Sequence, residues 1–244
     1  MVPALLSATV APTPPAARGR LGVALEHLFF WLVVRPVVLV VLGLNVRHRE
    51  RLPRRGPAIL AANHNSHLDT AVLMTLVPAR LLPRVRPVAA ADYFLANRAL
   101  AWFSLHVLGI LPVDRGGARG AAPEAPRRDP LATAREALDR GEIVLLFPEG
   151  SRGDPERLTS FKSGVARLAL ARPGVPVVPV FLHGLGKALP KGSRLPVPFF
   201  CDVFVGEPLD GGDGRWQGDA KSLLAALAEA MQGLAVEGRF AAWE

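Results

Sequence analysis

Ala58-Ile59-Leu60-Ala61-Ala62-Asn63-His64-Asn65-Ser66-His67-Leu68-Asp69-Thr70-Ala71-Val72-Leu73 changes its periodicity midway. Residues 58–62 are continuously apolar, as in a strand buried on both faces. From Ser66 onward Ala71, Val72, Leu73 and Leu76 follow helical spacing. A buried strand therefore passes into a helix through a short polar link. The rest of the chain repeats that alternation. Strands are predicted at 57–63, 86–91, 109–114, 142–147, 176–182 and 201–205, and helices at 67–77, 93–107, 130–140, 161–171 and 218–235. Such a chain folds as α/β: one layered domain with a mixed, largely parallel sheet flanked by helices.

The polar link carries the chemistry. His64 stands five positions ahead of Asp69, at a strand end where a side chain is both exposed and held still. An imidazole is suited to taking a proton near neutral pH, and a carboxylate on its other nitrogen fixes the tautomer. No serine or cysteine with an elbow motif lies nearby, so the attacking hydroxyl would belong to the substrate. Two other readings are open at this point. Asn63 or Ser66 could cap the helix with Asp69 in its first turn, and His64, His67 and Asp69 are all residue types that bind zinc.

The composition bounds the function. The chain has 244 residues, half of them hydrophobic, with a net charge of +8. Its mean hydropathy is +0.26 and its sequence pI about 10.8. A chain both basic and apolar points to an anionic membrane surface. Nucleic acid is not expected as a partner, since basic residues interleaved with aromatics are missing and there is a single tyrosine. The lone cysteine, Cys201, excludes an intrachain disulfide.

Residues 1–20, with Pro3, Pro12, Pro14 and Pro15, read as a disordered N-terminus. Residues 21–46 are the most apolar part and read as a helical membrane anchor: two short interfacial helices broken at Pro36, with a bent single span as the competitor. Arg47, His48, Arg49, Arg51, Arg54 and Arg55 follow at once, as expected beside an anionic leaflet. Residues 47–244 form the catalytic domain. Within it Gly116–Pro130 reads as a loop placed to cover the site after Arg115.

Four patterns, the His64–Asp69 one among them, stand in a fixed order. Asn63, His64 and Asp69 give N-H-x-x-x-x-D. Gly109 is followed six residues later by Arg115. Phe147-Pro148-Glu149-Gly150-Ser151-Arg152 is followed by Phe161-Lys162-Ser163-Gly164. Val175 to Val180 is an apolar stretch carrying Pro176 and Pro179. Together these blocks make the chain resemble the glycerolipid acyltransferase family, the group containing 1-acylglycerol-3-phosphate acyltransferases. The likeness covers about half the chain.

The resemblance implies transfer of a fatty acyl group from acyl-CoA or acyl-carrier protein to the free hydroxyl of 1-acylglycerol 3-phosphate, giving phosphatidic acid. It implies no metal and no bound cofactor, and a place on the cytoplasmic face of the inner membrane. His64 would be the base and Asp69 its orienting partner, with oxyanion donors near Gly150 or at the helix start after Ser66. Arg115, Arg152 and Lys162 would hold the phosphate. Glu149, with the small Gly150 and Ser151, would position Arg152 or the glycerol hydroxyls. Pro176 and Pro179 would shape a strand edge beside the acyl chain. Another lysolipid, such as lyso-ornithine lipid, is the alternative acceptor. Outside this chemistry stand a non-catalytic membrane-binding protein and a metal-dependent lipid hydrolase.

Overall fold

The computed structural model describes residues 18–91, 97–113, 129–153, 157–189, 193, 195–212, 214–216 and 219–238. Eight strands form one sheet: β1 Leu42–Arg47, β2 Ala58–Ala62, β3 Val85–Ala90, β4 Leu111–Val113, β5 Ile143–Leu146, β6 Pro176–His183, β7 Phe199–Val205 and β8 Leu209–Asp210. Their order is β1-β7-β6-β2-β5-β3-β4, with β8 also on β6. Only the pairings of β6 with β7 and β8 are antiparallel. The others, β2 with β5 and β6 among them, are parallel. The mixed, largely parallel α/β sheet is as expected.

Alternation along the strands splits the core into two layers. Leu60, Ile143, Leu145, Val178, Val180 and Val203 face one cluster, shared with Val72 and Leu73 of α2 (Leu68–Leu76). Ile59, Ala61, Val144 and Val177 face the other, where α4 (Ala132–Asp139), α5 (Gly164–Leu170) and α7 (Ala220–Glu237) pack. Two shorter helices, α3 (Arg98–Trp102) and α6 (Leu185–Ala188), complete the set.

The first helix departs from the expectation. α1 runs unbroken from Arg20 to Val41 and is long and apolar enough, by length and composition, to cross a membrane. Pro36 sits inside it with helical backbone angles, because the turns on either side, Phe30–Val34 and Val37–Val41, are widened to π-helix. That widening accommodates the missing N–H instead of breaking the helix. Gly22, Glu26, Phe30, Val34 and Val38 recur every four residues and are buried against the domain. Leu21, Leu28, Trp31, Leu32, Val33, Leu39 and Val40 face outward. The helix ends five residues earlier than the anchor predicted at 21–46. Leu42–Arg47 is instead an edge strand, β1, paired in parallel with β7. Of the N-terminus expected to be disordered to residue 20, residues 1–17 lie outside the described residues. The Arg18 side chain, however, is buried: its guanidinium binds Glu26 at 2.6 Å and the carbonyls of Val107 at 2.7 Å and Pro83.

Candidate active site

The link after β2 is held from three sides. The Asn63 side chain acts as an extra rung between β2 and β6. Its Nδ2 donates to the Leu182 carbonyl at 2.9 Å, and its Oδ1 accepts from the Leu182 N–H at 2.6 Å. Asn65 Nδ2 reaches the same carbonyl at 3.2 Å. Beyond it, Asp69 Oδ2 accepts from the N–H groups of Asn65 at 2.7 Å and Ser66 at 2.8 Å. The bond to Ser66 is half of a capping box, so the capping role and the orienting role fall on one carboxylate.

The same Oδ2 lies 2.9 Å from His64 Nδ1. Asp69 is fully buried while the His64 side chain is 21 % exposed. Burial pushes the Asp69 carboxyl above its ordinary range, against the donors from His64, Ser66 and Asn65 that favour its charge. With Nδ1 turned to Asp69, Nε2 is left for a substrate proton. The imidazole lies flat on the Phe147 ring, centroids 4.0 Å apart and planes 15° apart. Among the described residues no three His, Cys, Asp or Glu side chains gather as a metal site.

Glu149 differs from its expected role. It is buried, its Oε1 accepts from the His64 N–H at 3.0 Å, and its Oε2 accepts from the Thr159 hydroxyl at 2.7 Å. Both oxygens thus bind the protein, and Glu149 holds the backbone of His64. The Gly153 N–H, bonded to the His64 carbonyl at 3.0 Å, fastens the other side. Of the N–H groups expected to serve an oxyanion, that of Gly150 binds the Phe147 carbonyl, and at the helix start after Ser66 those of Leu68 and Asp69 bind the Ser66 hydroxyl and carbonyl.

Gly150 has a left-handed φ of 73° and lies under the Lys162 side chain, where an added Cβ would come within 2.6 Å of Nζ. The left-handed φ is what favours glycine there, since the Lys162 side chain can swing aside. A cavity of about 800 Å³ opens beside His64. Its polar end carries His64, His67, Ser151, Arg152 and Lys162, and its interior is apolar, with Phe29, Phe30 and Val34 of α1, Met74, Val88 and Ile110. Burial, with Arg152 close by, holds the His67 imidazole below its usual range, so it is neutral near pH 7.

The structure therefore brings together His64, Asp69, Gly150, Ser151, Arg152 and Lys162, and turns Glu149 away from the cavity. Arg115 and most of the loop after it lie outside the described residues, although Val113, at the end of β4, lines the cavity. Pro176 and Pro179 do not touch the cavity. β6 is an interior strand, and Pro179 sits where its pairing passes from β7 to β8. The sequence reading missed Asn63 as a strand rung, Phe147 as the stacking surface, Thr159, and the α1 wall. For the wall a signal existed: Gly22, Glu26, Phe30, Val34 and Val38 mark one face at four-residue spacing.

Comparison with known proteins supplies the family. A family model described as Acyltransferase matches residues 43–183. The chloroplastic 1-acyl-sn-glycerol-3-phosphate acyltransferase LPAT1 of Arabidopsis thaliana is 33% identical over 152 residues, 62% of this chain and 39% of that protein. The chain thus spans about two fifths of that relative's length. The 1-acyl-sn-glycerol-3-phosphate acyltransferase alpha of Mus musculus is 26% identical over 225 residues, 88% of this chain and 71% of that protein. The crystal structure of the 1-acyl-sn-glycerophosphate acyltransferase PlsC from Thermotoga maritima superposes with a TM-score of 0.68 at 23% identity, covering 91% of this chain and 81% of that one, a likeness of fold. With more than half its length matched by the family model, and with that model's span enclosing the His64–Asp69 pair, the chain belongs to the acyltransferase family.

Proposed function

We propose that the protein transfers a fatty acyl group from a thioester, acyl-CoA or acyl-carrier protein, to the free hydroxyl of 1-acylglycerol 3-phosphate, yielding phosphatidic acid. The observation that carries this reading is an Asp-oriented histidine at the polar end of an apolar cavity, beside Arg152 and Lys162.

His64 Nε2 takes the hydroxyl proton as the substrate oxygen attacks the thioester carbonyl carbon. The tetrahedral intermediate collapses by breaking the C–S bond, and the imidazolium returns its proton to the leaving thiolate. Asp69 holds the ring and stabilises its charged form. Arg152 and Lys162 hold the phosphate, and Arg115 adds a second guanidinium matched to phosphate geometry. The Ser151 hydroxyl, exposed at the cavity mouth, donates to the substrate. The apolar interior takes the acyl chain. The chemistry needs no cofactor beyond the acyl donor.

The outward face of α1 and the net charge of +8 support association with an anionic membrane surface. Because its inner face packs on the domain along most of its length, α1 lies in the interface instead of crossing the bilayer, and the catalytic domain sits on the cytoplasmic leaflet. High salt should leave the protein in the membrane fraction. Release by salt alone would mean a purely electrostatic attachment.

The decisive assay incubates purified protein in detergent with acyl-CoA and 1-acylglycerol 3-phosphate, beside a His64→Ala variant, reading phosphatidic acid by mass spectrometry. Parallel wells carry lyso-ornithine lipid as acceptor and acyl-carrier protein as donor. Product should fall by about 10²-fold or more in the variant. Product unchanged by the mutation would remove His64 as the base.

A further inference from the structure

β7 runs antiparallel to β6, so its first residues lie at the end of the sheet where β6 finishes at His183. β2 is parallel to β6, and its carboxyl end, which leads into His64, is at that same end. The stretch before β7 is therefore beside the active site. It is tied there by the Ser66 hydroxyl to the Leu189 carbonyl at 3.3 Å, and by the Val197 N–H to the Ala188 carbonyl at 2.8 Å.

This stretch, Leu195-Pro196-Val197-Pro198-Phe199-Phe200, presents large apolar side chains to the outside. Phe200 is 83% exposed, Leu195 77% and Val197 49%. The register places Phe199 opposite Leu42 and Phe200 opposite Gly43. Those are the first residues after α1, whose last turn leaves Leu39 74% and Val40 82% exposed. The Phe200 ring rests on Gly43, which has no side chain to displace it. Two residue pairs further along the strands the apolar surface stops, at the hydrogen bond from Asn45 to Asp202. The patch thus borders the end of α1 on one side and a polar line on the other.

We propose that Leu195–Phe200 is a second membrane-inserting element which, with the outer face of α1, seats the active-site end of the sheet on an anionic bilayer. The occupant is a lipid surface because the patch continues from the exposed last turn of α1, and because the sequence sets two basic residues, Lys191 and Arg194, just before the apolar ones. Basic side chains bordering apolar ones match phosphate headgroups above acyl chains. Contiguous exposed apolar side chains of this size mark an interaction site. The inference rests on the membrane-surface reading of α1 above and adds a second point of contact at the catalytic end.

The test uses the full chain with Cys201→Ala, carrying an environment-sensitive fluorophore on a single introduced cysteine at Phe200→Cys, Leu32→Cys or Asn45→Cys. Vesicles hold phosphatidylglycerol and phosphatidylcholine in equal parts, with and without lipids bearing a quencher on the acyl chain. Labels at positions 200 and 32 should brighten and be quenched by the acyl-chain probe, while the label at 45 should not. In parallel Leu195→Ser with Phe200→Ser should weaken vesicle partitioning by about tenfold or more, with thermal unfolding unchanged. A responding Leu32 label beside a silent position 200 overturns this inference and leaves the α1 reading standing. Silence at both overturns the α1 reading as well. Brightening at position 200 that tracks protein concentration without vesicles overturns it in favour of a second copy of the chain.

Discussion

Asp69 Oδ2 accepts from His64 Nδ1 and from two backbone N–H groups at once. An asparagine there can still offer its oxygen to the same three donors, since Oδ1 has no hydrogen-bond partner, but it brings no negative charge to stabilise the imidazolium as it forms. Asp69→Asn should therefore lower kcat by about 10³-fold or more while leaving a folded protein, measured by acyl transfer and circular dichroism. Glu149 gives a sharper contrast. In Glu149→Gln the amide oxygen keeps the His64 N–H and the amide nitrogen donates to Thr159, so activity should stay within about tenfold of wild type. Glu149→Ala leaves the His64 N–H without its acceptor and should lose on the order of 10²-fold in kcat. Were Glu149 bound to substrate, both variants would raise KM instead. At this scale the His64–Asp69 pair was legible in the sequence, because its partners lie five residues apart. Asn63 was not, since its partner Leu182 is 119 residues away, and a capping role explained it equally well.

The elements were legible where periodicity is local. The strands around 58–62, 143–146 and 176–183 stand out as apolar runs, and α7 shows its stripe of Leu223, Leu227, Met231 and Leu234. β1 was hidden because Leu42-Gly43-Leu44-Asn45-Val46 continues the apolar run of α1 without a break in composition. Its alternation of buried and outward residues is visible only once β7 is its neighbour. Two glycines test the packing of helices. A Cβ on Gly22 would lie 2.3 Å from the His106 carbonyl oxygen, backbone that cannot swing aside. Gly22→Ala should therefore cost about 1–3 kcal/mol despite the better helix propensity of alanine. Gly233, in α7, has nothing within 4 Å, and Gly233→Ala should add about 0.5–1 kcal/mol. Chemical denaturation of the two variants reads both signs in one experiment.

At the scale of the molecule, the least legible feature was the cavity, since its wall is assembled from α1, α2, β3, β4 and the turn after β5. No single segment announces it. The same convergence produces a buried ionic contact at the seat of α1. Glu26 is fully buried against Arg18, and burial raises its carboxyl to about 7. In the unfolded chain that carboxyl returns to its ordinary value of 4.5. Between these values the folded protein holds more protons than the unfolded one, so stability falls as pH rises through about 7. The change is on the order of 3 kcal/mol. Thermal midpoints measured from pH 5 to pH 8 should decline in the wild type, and Glu26→Gln should flatten the slope over that window.

Phe29, Phe30 and Val34 wall the cavity, while Leu28, Trp31 and Leu32 of the same turns face outward. The partition between inside and outside is thus one helix thick, about 10 Å. On the proposed seating of α1 in a bilayer, a lipid tail would slide past a single helix from one hydrocarbon medium into another. Its methylenes would not meet water, and the cost of about 0.8 kcal/mol for each exposed CH₂ would not arise. A substrate nearly insoluble as a free molecule would then be handed across a wall instead of being carried through solution.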